Sequence, residues 1–283
     1  MNDLTPAAPP VPVPTTPWWK WPTHVATLAI DALKRIAAGG LFATVSRFAG
    51  RLGLMSLIVS SGAIALFLAV AAIRSDSLSM GLSIVAVPVL LCILQFTADR
   101  FTDLGESIVR NTPTRASGLA LYDLLGLLLL VAGLGLGGLG IYGAVDAGDP
   151  RDAVLGILLL LGFGTVGFMF LTPSALNLGI NETNSAGEDG LSVIGTFIKA
   201  YLAGSRVIFG GCAIIGCLLS TIGAVWWLFD RTDLRPVGYV VAGGMLAAYG
   251  ALLPLGFYLL SIVYFILVDV LMAIMRMAPT HSR

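Results

Sequence analysis

The sequence predicts an all-α polytopic membrane protein of about six transmembrane helices, paired as three hairpins and flanked by cytoplasmic interfacial helices. Three observations predict it. Hydrophobic residues make up 57% of the chain and charged residues only 11%, too few to clothe a soluble core of this length. The mean hydropathy of +0.92 lies well to the apolar side of a globular domain. The apolar residues also come in long runs, each near the ~20 residues that a helix needs to cross a bilayer.

The chain opens with residues 1–22, which hold Pro6, Pro9, Pro10, Pro12, Pro14, Pro17 and Pro22. A stretch this poor in backbone donors favours extended, solvated conformations, so it reads as a disordered cytoplasmic tail. Its overlapping PxxP patterns suit either a plain tail or a ligand for a proline-recognition domain. No basic start precedes an apolar run of signal-peptide length, so no signal peptide is expected. Trp18, Trp19 and Trp21 surround Lys20 at its end. Amphipathic indole rings settle in the headgroup layer, and the cluster reads as a membrane anchor. Residues 23–53 follow as an amphipathic interfacial segment. In it Lys34, Arg35, Arg47 and Arg51 alternate with Leu28, Leu33, Ile36, Phe42 and Phe48, and Gly39–Gly40 should divide the helix. Seating the first span, sensing lipid and shaping the bilayer are all open to it.

The transmembrane domain, 54–276, holds spans at 54–73, 80–98, 119–145, 153–172, 207–229 and 237–275, with a cytoplasmic tail, 277–283, after it. The last run is roughly twice one crossing, so it is either one long kinked helix or a span with an interfacial piece. With the N-terminus cytoplasmic, all of the 16 Lys and Arg except Arg74, Arg151, Arg231 and Arg235 fall on the cytoplasmic side. Such a bias in short loops places both termini in the cytoplasm, with the protein in a cytoplasmic or inner membrane. The first and third hairpins resemble each other. Ala49-Gly50 with Arg51 leads into one, Ala203-Gly204 with Arg206 leads into the other, and Gly81 and Gly238 open their second spans. A parallel duplication around a middle hairpin would give that pattern.

Gly135-Leu136-Gly137-Gly138-Leu139-Gly140 fits GxGxxG, yet no strand precedes it, so it is not a phosphate cradle. Gly133, Gly137 and Gly140 instead share a helix face that admits a neighbouring backbone, with Gly156, Gly164 and Gly167 as the facing groove. After the second span, Asp99, Asp103, Glu106 and Arg110 share one face of a projecting helix. That face is either simply solvated or a docking surface for a partner. The polar loop 172–192 adds Asn181, Glu182, Glu188 and Asp189 as docking candidates. Asn181-Glu182-Thr183 is formally a glycosylation sequon, but on the cytoplasmic side it goes unused. From Leu191 to Arg206 the pattern reads as a second interfacial helix, with Lys199 and Arg206 near the headgroups. In the last run Pro254 would kink or break the helix, and Asp269 is the one ionisable residue well inside apolar sequence. These two are the substrate or hinge candidates.

Cys92, Cys212 and Cys217 all fall inside spans, and His24 and His281 sit near opposite ends of the chain. Neither a metal site nor a cofactor is expected from them. A net charge of zero with no basic stripe gives nucleic acid nothing to bind. There is no P-loop, HExxH or GxSxG, which points away from an enzyme; a lipid enzyme using Asp99, Asp103 and Glu106 is the remaining catalytic reading. The expected partners are the lipid bilayer and a protein partner or a second copy. The function that fits best is a non-enzymatic subunit or scaffold of a membrane assembly, or a membrane-shaping protein. The alternative is a small-solute transporter or channel using a Pro-broken sixth helix.

Overall fold

A computed structural model describes residues 21–38, 41–75, 78–116, 118–180, 186–229 and 235–277. The elements run α1 (Trp21–Ala38), α2 (Leu41–Ser75), α3 (Leu78–Asn111), β1 (Thr114–Ala116), α4 (Ala120–Ala147) and α5 (Pro150–Phe170). A 3₁₀ turn (Pro173–Leu176), β2 (Leu178–Ile180), α6 (Ala186–Phe229) and α7 (Arg235–Met277) complete them. Residues 1–20 of the Pro-rich tail, Trp18 and Trp19 among them, and Asn181 and Glu182 of the polar loop lie outside the described residues, whereas Trp21 and Pro22, grouped by sequence with the disordered tail, open α1.

Helices α2 to α7 are each long and apolar enough to cross a membrane, so the chain is an all-α polytopic membrane protein of three hairpins. Ile58, Leu66, Val131, Leu155 and Val263 stand exposed along these helices. Lipid is the solvent in which that surface is stable. Six crossings bring the two ends of the described chain to one face of the bundle, here the terminal face; the hairpin turns lie on the opposite, turn face.

The α4–α5 turn shows how locally such a bend is written. Gly148 takes the left-handed conformation (φ 67°) that ends α4, and Asp149 caps α5 by accepting the Arg151 N–H at 2.9 Å. Pro150 then supplies the first helical residue, where its missing N–H costs nothing.

Two elements are longer than the spans predicted for them, and a third is one helix throughout. Residues 41–53, grouped by sequence with the interfacial segment, are the opening turns of α2, which continues unbroken into the first span. Residues 191–206, expected as a separate interfacial helix, belong to α6 and are packed inside the protein, with Ser192, Thr196, Lys199, Ala200 and Leu202 buried. The last run is a single helix, α7, continuous through Pro254. At ~1.5 Å per residue the 44 residues of α6 extend about 65 Å, so it outruns a ~30 Å hydrocarbon core and carries its first turns beyond it.

α6 is the central helix, touching α2, α3, α5 and α7. The first and third hairpins lie side by side, with α2 against α6 and α3 against α7, each pair running in the same direction. Contacts keep matched depth: Ser60 and Ser220 share a buried hydrogen bond of 2.9 Å, and the rings of Phe101 and Tyr258 are 5.2 Å apart. Backbones approach closely along this seam. A Cβ added to Gly53 would fall 2.7 Å from the Gly210 Cα, and within the third hairpin one on Gly216 would fall 2.6 Å from the Gly243 carbonyl oxygen. Leu57, Leu91, Phe209, Ala213, Ala247 and Ala251 form the core between these four helices. The α4–α5 hairpin leans on α6 from the other side, with Phe170 and Phe197 in ring contact at 4.5 Å and the Tyr122 hydroxyl 3.0 Å from the Ser192 hydroxyl.

Candidate functional site

Charge gathers on the terminal face, where α3 and α6 pass the last apolar turns of their spans. Arg206 of α6 is the hub. Its guanidinium donates to Asp103 at 2.5 Å and to Glu106 at 2.8 Å, and Glu106 also meets Arg110 at 3.4 Å. Asp103 and Glu106 therefore hold α6 while the Asp103 side chain stays 63% exposed. The Arg206 stem crosses directly over Gly50 of α2, where an added Cβ would come within 2.6 Å of its Cγ. Gly50 makes the room that lets α2, α3 and α6 meet at one cation.

Beyond this cluster lies a second polar knot, built on Lys199. The residue is fully buried, and its ammonium donates to the carbonyls of Thr112 and, at 3.4 Å, Leu176. A helix ends with four carbonyls lacking intrahelical partners, and a cation placed there offsets the negative end of its dipole. The end of α3 receives several such partners. Lys199 takes Thr112, the Asn177 side-chain amide donates to the Arg110 carbonyl at 2.8 Å, and the Thr112 hydroxyl donates to the Ile108 carbonyl at 2.6 Å. Asn177 is held in the left-handed region (φ 51°) that closes the 3₁₀ turn, and its own carbonyl accepts the Thr114 N–H. β1 and β2 then pair in parallel, Thr114 opposite Leu178 and Ala116 opposite Ile180. Further out, Lys34 of α1 pairs with Asp123 at the start of α4 at 2.7 Å, and the Tyr264 hydroxyl of α7 donates to the Leu191 carbonyl.

The other residues singled out from sequence are dispersed. Asp99 is exposed and lines a cleft with Arg47 and Arg51. Glu188 and Asp189 fall in the first turn of α6, where acidic groups complement the helix dipole. Trp21 opens α1. Gly133, Gly137 and Gly140 face α5: added Cβ atoms would lie 3.0 Å from the Phe163 Cβ, 2.9 Å from the Gly156 carbonyl oxygen and 2.7 Å from the Gly156 Cα. Gly167 meets Gly126 rather than this trio, and Gly164 sits opposite Gly133. Pro254 is buried in mid-helix, whereas Asp269 is exposed, about 22 Å further along α7 at ~1.5 Å per residue. The structure does not bring these two together.

On the turn face a cleft of about 940 Å³ opens between the α4–α5 turn and α6–α7, lined by Asp149, Arg151, Leu219, Arg235, Tyr239 and Leu246 among others. Cys92, Cys212 and Cys217 are free thiols, and among the described residues no three His, Cys, Asp or Glu side chains converge as a metal site would require.

Sequence reasoning missed Lys199, Arg206 as a hub, Asn177 and Gly50. The usable signal was a lysine alone in an apolar helical stretch, which invites the question of which carbonyls it caps. No protein-family model matches the chain, and no curated protein or solved structure matches it either.

Proposed function

We propose that the protein is a non-enzymatic subunit or scaffold of a membrane assembly, which presents its terminal face to a partner in the cytoplasm. One observation carries the reading: the part of the bundle beyond the membrane spans is locked. α3, the 3₁₀ turn and α6 are fastened by Lys199, Asn177 and the Arg206 ion pairs. A preorganised surface loses little freedom on binding, which is what a docking platform requires. Acidic groups at Glu188 and Asp189, next to the loop bearing Asn181 and Glu182, give that platform its polar contacts. The test is gentle extraction of the full chain followed by native mass spectrometry. A stoichiometric protein partner, lost in a Glu188→Lys/Asp189→Lys variant of unchanged fold, is the expected result. A lone monomer carrying a small solute would overturn it.

The cleft on the turn face favours a second reading, a small-solute transporter or channel that takes its solute beside Asp149 and Arg151, with Pro254 as hinge; Asp269, near the other end of α7, lies outside that cleft. Uptake into proteoliposomes that Arg151→Gln abolishes, with assembly intact, would replace the scaffold as a complete account.

A further inference from the structure

Two adjoining clefts open at the level where α2 passes from polar to apolar surroundings. One, of about 230 Å³, is lined by Arg47, Arg51, Asp99, Thr102 and Arg206 among others; the second, of about 310 Å³, shares Arg47 and Arg206 with it. Arg47 and Arg51 are one helical turn apart and share a face. Arg47 donates from Nε to its own helix at Ala43, and among the described residues no carboxylate pairs with either guanidinium. Charge bookkeeping sharpens the point. Arg206 and Arg110 cancel against Asp103 and Glu106, to which they are paired. Arg47, Arg51 and Asp99 then leave one positive charge in the cleft. Arg51 is the last charged residue on the outer surface of α2 before the long apolar stretch; Val45 and Phe48 are exposed beside the two arginines, and Met55, Ile58 and Val59 past them.

A ligand with one negative charge at its head and a hydrocarbon body suits that arrangement. The geometry points to an anionic phospholipid, its phosphodiester held between Arg47 and Arg51 and its acyl chains lying along α2 beside Met55 and Ile58. Guanidinium groups donate paired N–H bonds to phosphate oxygens, and basic pockets between membrane helices are the usual seat of such headgroups. Asp99 sets the selectivity by balancing one of the arginines, so that a single phosphodiester brings the cleft to neutrality. The site is independent of whether the protein is a scaffold or a transporter.

The experiment is native mass spectrometry of the full chain in a delipidating detergent, titrated separately with phosphatidylglycerol, phosphatidylcholine and inorganic phosphate. The expected result is one phosphatidylglycerol retained in preference to phosphatidylcholine, and binding weakened about 30-fold in Arg47→Gln/Arg51→Gln. Arg74→Gln on the turn face should bind as the parent does. Retention of phosphatidylglycerol by the double variant at unchanged strength would overturn the proposal, as would equal retention of both lipids. Occupancy by inorganic phosphate that excludes the lipid would assign the site to free phosphate instead, and overturn the lipid. If the double variant does not fold, Arg47→Lys/Arg51→Lys takes its place. It should keep binding but weaken it severalfold, since the point charge survives without the paired donors; unchanged binding there would equally count against the site.

Discussion

The α4–α5 hairpin and the polar knot at the end of α3 solve the same problem by opposite means. Both must hold chain segments together, one within the membrane spans and the other at a helix end. In the hairpin small residues bring backbone to backbone, Gly137 and Gly140 against Gly156 and Gly126 against Gly167, with Leu160, Phe163 and Leu171 packed alongside. In the knot there is a single long cation, Lys199, with amide and hydroxyl donors around it. The difference follows from solvent. Lipid tails are as apolar as leucine, so close van der Waals contact is what remains to bind helices there. At a helix end the exposed carbonyls demand donors, and a buried cation supplies them.

The comparison can be broken most forcefully at Gly156. An added side chain there meets the Gly137 carbonyl oxygen at 2.6 Å and the Ile141 nitrogen at 2.8 Å, both backbone. Gly156→Leu should destabilise by about 3 kcal/mol or more, read as loss of the folded fraction in denaturant titration in micelles. Gly138→Leu is the matching control. Nothing lies within 4 Å of a Cβ at that position, so stability should be unchanged although the residue belongs to the same glycine run.

The knot is tested by Lys199→Met, which keeps the stem and removes the donors. Leaving the Thr112 and Leu176 carbonyls buried and unpartnered should cost about 2 kcal/mol. The loss should show as faster amide exchange confined to the end of α3 and the 3₁₀ turn, while α4–α5 keeps its protection. Exchange rising equally throughout the bundle would mean that the knot and the hairpin are one cooperative unit.

Ser60→Ala sharpens the lower end of the scale. It removes the hydrogen bond to Ser220, whose hydroxyl still donates to the Gly216 carbonyl at 2.9 Å. Interhelical hydrogen bonds in membranes average ~0.6 kcal/mol, so the shift should be barely resolved. A loss several times larger would show that polar bonding rather than close approach organises the α2–α6 seam.

What could be read in advance divides along the same line. Span positions and the glycine face of α4 follow from periodicity and residue size, which are properties of single segments. The Gly148-Asp149-Pro150 turn, not singled out from the sequence, is equally local, since each residue has one conformational task. Lys199 was different. Its charge reads as a mark of the headgroup layer, and only the path of the chain from α3 to β1 shows that carbonyls consume it. The ion pairs of Asp103 and Glu106 were out of reach for the same reason: their partner, Arg206, is 103 residues from the first of them, and spacing along one helix says nothing about it. Helix lengths were underestimated where polar residues interrupt apolar runs. Charges end a membrane span but not a helix.

The pairing of β1 with β2 has a consequence for the architecture as a whole. β1 is the entrance to the α4–α5 hairpin and β2 follows its exit, so the chain leaves and rejoins the rest of the bundle at neighbouring points, about 4.8 Å apart. The middle hairpin is thus a drawer with both runners on one rail. It can be lengthened at its turn-face end, away from its contacts with α6, without asking α3 and α6 to move.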